Sequence, residues 1–488
     1  MKTRVFGSLL LMESVFMLMA CGVSVFYRFT QGEDDLLALG IATLATLGVG
    51  GLCMLIGRNG AGASLTRRDS LLVVALVWIV FSILGMVPYL IYGTTDSVAI
   101  AFFETISGFT STGATALTNI DLQPHGILFW RSMTQWMGGL GIVVFSFALI
   151  PIYELRNTHL FSAEVTGISV DKLQPRIGDT ARRLLLIYSL ITAACALAYW
   201  LGGMGVFDAV CHSMTTIATG GFSTHQESFA WFHSPLLEYI SVVFMFLGSL
   251  NFSLYYHFST GRHDIFRRNE EFHWFGAYII FCVLFFYVLM CWLLRPTDME
   301  QTLRTALFHV MSIASSTGYQ GTNFDYVGWG EAFWTPTMIL MFVGACAGST
   351  GGGVKMIRVM VCLKHMVNEF RLQLHPRAVL SVCLSGRPIP EGKVTRALTF
   401  MFIYFVIFIL GTILLTTIGI DSDTALGSTL SCLSNIGPAM GSTGPASTYA
   451  VMPPAALWLL SAIMLIGRLE LYTMLFLLMP SFWKEVRG

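Results

Sequence analysis

One short segment recurs four times in this chain, and its surroundings restrict the fold more than any other feature. AFFETISGFTSTGA from Ala101, AVCHSMTTIATGGF from Ala209, ALFHVMSIASSTGY from Ala306 and ALGSTLSCLSNIGP from Ala425 align without gaps. Each opens on alanine and carries glycine at its thirteenth place: Gly113, Gly221, Gly318 and Gly437. These glycines are 108, 97 and 119 residues apart, too far for a solenoid repeat. Each copy makes about three helical turns rich in small and hydroxyl side chains. That is too short and too polar to cross a bilayer, which takes roughly 20 apolar residues. An apolar run precedes every copy; a polar loop and a second apolar run follow. That second run carries a further glycine 25 to 30 residues on: Gly138, Gly248, Gly344 and Gly467. The repeating unit is helix, re-entrant half-helix, extended loop, helix.

Composition places these units in a membrane. Hydrophobic residues make up 55% of the 488, charged residues 11%, and the mean hydropathy is +0.69. A soluble chain carries roughly a quarter charged residues. The 28 basic residues balance 28 acidic ones, so no net field draws in a nucleic acid. Crossings are expected to begin near Val5, Leu36, Leu71, Leu184, Phe275 and Ala397, with others over about 128–152, 236–258, 337–362 and 455–479. Ten crossings put both termini on one side. Twenty-three of the 28 basic residues fall in the loops and termini of that side, leaving Arg28, Arg131, Arg295, Arg304 and Arg468. The positive-inside rule makes it cytoplasmic. The N-terminus reads as the first spanning helix, with no cleavage site after a short apolar stretch. The ten cysteines include no C-x-x-C pair and read as small hydrophobes.

The expected fold is an all-α polytopic membrane protein. An N-terminal transmembrane helix pair (1–68) precedes four parallel helix–pore-helix–helix repeats (69–180, 181–270, 271–392 and 393–488) in pseudo-fourfold symmetry. Short helices that merely fill space in a duplicated scaffold are the plainer alternative. Irregular backbone at membrane depth persists only inside protein or along a water-filled cavity, and four symmetric sets of it favour a central pore.

The repeat ends, Thr110–Ala114, Ala218–Phe222, Ser315–Tyr319 and Ser434–Pro438, contain no carboxylate, histidine or cysteine. Acid–base or nucleophilic catalysis has nothing to work with there, and neither has a Mg²⁺ or Ca²⁺ cage. What remains is main-chain carbonyl, which glycine leaves free to turn toward an axis. Four such strands replace the hydration shell of a monovalent cation with rings of oxygen. The half-helices would aim their partially negative C-terminal ends at the same ion. K⁺ or a close relative is the expected occupant.

A second cluster, Gly344-Ala345-Cys346-Ala347-Gly348-Ser349-Thr350-Gly351-Gly352-Gly353, interrupts what should be a continuous apolar helix. It does not meet the phosphate-loop pattern, because Lys355 comes one place late and no hydroxyl follows. The functional reading is a flexible loop under the filter; close helix packing through small residues is the alternative. Arg468, a charge within the last apolar run, should face a cavity or a partner. Glu470, two positions on, points off the same helix face, which argues against a local pair; a buried structural ion pair is the other reading. Glu104, His212, His309 and Ser428 take equivalent places on the short helices, either tying them to neighbours or taking part in ion entry.

The STGA, TGGF, STGY and NIGP copies, their flanking helices and the run Gly348–Lys355 resemble the Trk/Ktr/HKT superfamily of potassium transporters over essentially the whole chain. The extra N-terminal pair is most similar to its bacterial TrkH branch. The resemblance implies a K⁺ selectivity filter built from Ser111, Thr112, Gly113, Thr219, Gly220, Gly221, Ser316, Thr317, Gly318, Asn435, Ile436 and Gly437. Relatives that prefer Na⁺ carry serine in place of the first glycine, so Gly113 points to K⁺. Ile436 and Pro438 depart from the other copies, and the fourth wall is expected to be less regular. The resemblance further implies a gate of Gly348, Ser349, Thr350, Gly351, Gly352 and Gly353 with Arg468 as a barrier in the pathway. It implies a homodimer and a cytosolic ring of TrkA-type nucleotide-binding regulatory subunits on the basic loops after Phe258 and over 364–396. Those loops also suit anionic membrane lipid. K⁺ is then the permeating ion, with no organic cofactor in this chain, and the location is the bacterial inner membrane. An H⁺- or Na⁺-coupled K⁺ secondary transporter is the rival reading, although such proteins generally show inverted repeats and ionisable midplane residues. A membrane enzyme is a more distant rival, for want of clustered acid, base or metal ligands.

Overall fold

Backbone polar groups in hydrocarbon must bond within their own segment, so an apolar chain coils wherever it meets lipid. The computed structural model describes residues 2–60, 67–139, 141, 177–261, 263–322, 327–445, 447–469 and 471–483. Among them, six helices are long and apolar enough to cross a membrane: Lys2–Gln31, Leu36–Ile56, Ala75–Tyr92, Arg182–Leu201, Glu270–Leu293 and Glu391–Thr417. The first two pack through small residues. A Cβ on Gly7 would come within 2.7 Å of the Gly50 carbonyl oxygen, so the two backbones touch. The ends near Gln31 and Leu36 join the body through Asp35, which accepts from Ser24 and from the Ile127 N–H at 3.1 Å. Sheet among the described residues is confined to a small hairpin, Cys383–Leu384 with Arg387–Pro388.

Ten crossings were expected; of the four return helices that remain, three are interrupted among the described residues. The first runs His125–Gly139, and most of its expected continuation lies outside the described residues. The second bends by 87° between Pro235–Ser249 and Phe252–Ser259. The third, Glu331–Phe342, opens into the glycine-rich run before Met356–Leu374, and the fourth divides between Pro454–Arg468 and Leu471–Leu478. Glycines bring three of these helices against the short-helix ends. A Cβ on Gly138 would overlap the Phe109 carbonyl, and one on Gly467 the Leu433 carbonyl; on Gly248 it would lie 3.3 Å from the Ile217 oxygen. Phe109, Ile217 and Leu433 each stand four places before their repeat glycine, so each return helix is pinned beneath a short-helix end. In the third unit Gly344 meets the carbonyl of Gly352 instead, because the loop itself fills that place.

The short helices are Val98–Phe109, Val206–Ile217, Met299–Ala314 and Ser422–Ser434. Side chains of Ser97, Asp298 and Asp421 cap three of them. All ten cysteines are unpaired; Cys195, Cys211, Cys346 and Cys432 are buried. Cys383 departs from the buried-hydrophobe expectation, being exposed on the hairpin rather than in a packed helix.

Candidate functional site

Each short helix ends in the same turn. Ser111, Thr219, Ser316 and Asn435 take left-handed conformations, with φ of 50°, 49°, 59° and 54°. The next residue's N–H then reaches back five places: Thr112 to Ser107, Gly220 to Thr215, Thr317 to Ser312 and Ile436 to Ser431, all within 2.9–3.0 Å. This is a Schellman closure built without glycine at the left-handed position. Such a residue costs about 1–3 kcal/mol, borne here four times. The repeat glycine two places on is again at positive φ: 80° at Gly113, 76° at Gly221, 78° at Gly318 and 104° at Gly437. Alternating hands of backbone leave the intervening carbonyl outside the helix's own bonding pattern.

The four turns form a closed ring. A Cβ on Gly113 would overlap the Gly220 carbonyl oxygen; on Gly221, that of Thr317; on Gly318, that of Ile436. On Gly437 it would lie 2.7 Å from the Thr112 oxygen, which closes the circuit. Every repeat glycine therefore abuts the carbonyl preceding the next unit's glycine. All four glycines line one vestibule, together with Thr115 and Gln320. The fourth copy is the loosest, with the largest glycine φ and an Asn435 N–H bond of 3.4 Å to Cys432.

The residues at equivalent places on the short helices are all buried, and they hold the ring from outside. Glu104 accepts from the Ala116 N–H at 2.9 Å and from Arg131 Nε at 2.7 Å. Arg131 also donates to the Ser223 carbonyl at 2.7 Å, joining the first unit to the second. His212 pairs with Ser223 Oγ at 2.9 Å, His309 with Thr337 Oγ1 at 2.9 Å and Ser428 with Thr443 Oγ1 at 2.8 Å. The tie to neighbours is thus met in all four. Breaking a buried pair strands the surviving charge, at about 3–5 kcal/mol. Arg131→Met is expected to lower the thermal midpoint in detergent, and Glu104→Gln added to it should restore part of the loss. Equal loss in single and double variants would contradict the pairing.

Gln135 was not foreseen. Its amide donates to the Gly220 carbonyl at 2.7 Å and its oxygen accepts from the Phe222 N–H at 3.0 Å, bracing the second turn from the first return helix. The available signal was a lone amide one turn before Gly138 in an apolar run.

At the mouth of this vestibule, His225 donates to Asp121 at 2.8 Å, faces Asp208 at 3.7 Å and stacks on Trp231. Burial pushes its imidazole pKa down, but the carboxylates of Asp208 and Asp121 outweigh this and raise it. The bound proton therefore stabilises the folded mouth at pH below about 6.5, and that contribution fades as pH rises through the raised value. Thermal midpoints in detergent should fall over that rise, and His225→Gln should flatten the slope. An unchanged slope in the variant would contradict the assignment.

Below the ring, the glycine-rich run forms a loop that touches three units. Thr350 Oγ1 donates to the carbonyls of Ile217 at 2.9 Å and Gly248 at 3.1 Å. Gly352 N–H donates to Ser316 Oγ at 2.6 Å, and a Cβ on Gly352 would overlap the Ser434 carbonyl. Lys355 Nζ donates to the Gly351 carbonyl; Gly348 packs on Asn251, while Ser349 folds back onto Cys346 O at 2.6 Å. Gly353, at φ 69°, returns the chain beside Gly344. Arg468 supplies the fourth side. Its guanidinium donates to Thr350 O at 2.7 Å, Gly139 O at 3.0 Å and Gly138 O. Carbonyls of the return helices are thus taken up by the loop and by Arg468, in donors that lipid could not supply. Glu470, weighed above as its partner, lies outside the described residues.

The sequence model of the TrkH family, described as a cation transport protein, matches residues 53–484. The chain is 37% identical over 491 residues to the Trk system potassium uptake protein TrkH of Salmonella typhimurium, and 36% identical over 490 to that of Escherichia coli K12, covering 99% of both chains in each case. The crystal structure of the potassium transporter TrkH from Vibrio parahaemolyticus matches with a TM-score of 0.88 at 33% identity, over 99% of each chain.

Proposed function

From the premise that this chain belongs to the TrkH family of cation transport proteins, we propose that it takes up K⁺ across the bacterial inner membrane through a channel-like pore. The observation that carries this is the closed circuit of glycine-to-carbonyl contacts around one vestibule. The carbonyls of Thr112, Gly220, Thr317 and Ile436 come from equivalent places in four units. A ring of that kind exchanges a weakly hydrated cation's water for protein oxygen without proton transfer or a bound cofactor. Ser111, Thr219, Ser316 and Asn435 supply the adjoining layer. No ionisable side chain belongs to the ring, which favours conduction over H⁺ or Na⁺ coupling.

The loop Gly348–Gly353 with Arg468 acts as the gate on the cytoplasmic side of the filter. The loop occupies space beneath three short-helix ends, and a fixed cation on the axis opposes a second one. Basic loops and both termini face the cytoplasm, where TrkA-type nucleotide-binding subunits dock and set the gate; two copies of the chain form a homodimer.

The test is ion flux through purified protein in liposomes. K⁺ and Rb⁺ should pass well ahead of Na⁺ and Li⁺, with a reversal potential that follows K⁺ alone when pH or Na⁺ gradients are imposed. A reversal potential displaced by either gradient would replace the channel reading with coupled transport.

A further inference from the structure

One side-chain oxygen joins both ends of the glycine-rich loop. Glu271 lies in the first turn of Glu270–Leu293, a helix capped by Asn269, and is only 6% exposed. Its Oε1 accepts from the Ala347 N–H at 2.7 Å and from the Ile357 N–H at 3.1 Å. Ala347 immediately precedes Gly348. Ile357 lies in the first turn of Met356–Leu374, the helix that leaves the loop. Between them the chain runs out beneath the short-helix ends and back.

The neighbouring carboxylate reaches elsewhere. Glu270 takes Lys364 Nζ, from the helix after the loop, and the Ser385 N–H at 2.8 Å, from the turn of the Cys383–Pro388 hairpin. Lys364 also donates to the Cys383 carbonyl at 2.8 Å. Two adjacent glutamates thus connect the gate segment to a cytoplasmic hairpin through one helix start.

Burying a carboxylate is costly unless its hydrogen bonds repay the lost water. Neither the capped helix nor the apolar contacts of this region require an acid here. The two amides do, because they lie on the two lengths of chain that enter and leave the loop, and one carboxyl oxygen bridges them beside the backbone ties. The backbone ties at this neck are Gly344 N–H to Val354 O at 2.8 Å, Val354 N–H to Phe342 O at 3.3 Å and Met356 N–H to Ala345 O at 3.2 Å.

We propose that Glu271 is the latch of the gate loop: its single accepting oxygen clamps the two ends in the arrangement seen here, and Glu270 links that clamp to the cytoplasmic hairpin so that a displacement there releases the loop. The proposal rests on the reading of the loop as a gate. Glu271 is a positioning residue; it does not touch the ion path.

The experiment compares full-length protein in K⁺-loaded liposomes carrying Glu271→Ala, Glu271→Gln or Arg468→Ala. A second readout is alkylation of Cys346, a loop residue 1% exposed, followed by mass spectrometry. Two hydrogen bonds to one buried carboxyl oxygen are strong enough that losing both should raise flux and Cys346 alkylation at least about tenfold in Glu271→Ala. Glu271→Gln keeps an oxygen in place and should stay within about threefold of the unaltered protein. Should Glu271→Ala not fold, Glu271→Asp, whose shorter arm cannot span both amides, takes its place. If Arg468→Ala raises flux while Glu271→Ala changes neither readout, the latch is overturned and the gate stands. Glutamine behaving like alanine would also overturn it. If Arg468→Ala leaves flux unchanged, the gate reading fails first, and the latch with it.

Discussion

Arg468→Ala is expected to raise K⁺ flux through the reconstituted protein by about tenfold to a thousandfold. Two losses combine. The guanidinium holds Thr350 of the loop against Gly138 and Gly139 of the first return helix, and alanine leaves the loop tied on three sides only. It also removes a fixed positive charge. At an effective dielectric of about 20, two unit charges about 4 Å apart repel by about 4 kcal/mol, close to a thousandfold in rate before relaxation and screening reduce it. Arg468→Lys separates the two effects. Lysine keeps the charge but not the fork that spans Thr350 and Gly139, so its flux should lie between those of alanine and the unaltered protein. The measurement is Rb⁺ or K⁺ uptake into liposomes at matched protein density. Unchanged or lower flux in well-folded Arg468→Ala would reject the barrier role.

Alanine at a ring glycine should abolish K⁺ permeation, by about a hundredfold or more at Gly113, Gly221 and Gly318. The side chain cannot be absorbed locally. At φ near 80° an L-residue is already strained by about 1–2 kcal/mol, and its Cβ would occupy the position of the next unit's carbonyl oxygen. Either the oxygen turns out of the ring or the turn unwinds; both break the coordination shell. Gly437→Ala should be the mildest of the four, since the nearest oxygen, that of Thr112, lies 2.7 Å away. Flux and K⁺/Na⁺ selectivity measured across the four single variants check the ranking. Equal effects at all four, or Gly437 the most sensitive, would contradict the ring geometry.

The ring was legible because its signal is repeated. A hydroxyl-rich half-helix followed by glycine carries little information alone, yet four gap-free copies between apolar runs leave few uses for such backbone. The glycine-rich interruption after Gly344 and the stray charge at Arg468 were legible for a related reason: each violates what a lipid-facing helix permits. Gln135 and Glu271 carried no such mark. A glutamine in a return helix and a glutamate at a helix start are ordinary in sequence. Their importance depends on which carbonyl or amide from a distant unit arrives beside them: Gly220 for the first, Ala347 and Ile357 for the second. The bend in the second return helix was hidden too, because an apolar run reads alike whether it continues or bends by 87°.

Hydrophobic period, charge placement and repetition act over neighbouring residues, and by themselves they determined that this chain crosses a membrane and presents four equivalent turns. Only the tertiary structure decided that those turns close on one another, that the loop and Arg468 lie beneath them, and that one buried carboxylate holds the loop's ends. The reason is that these contacts join residues up to 330 positions apart, and which carbonyl is left free to receive a donor is set by packing between units.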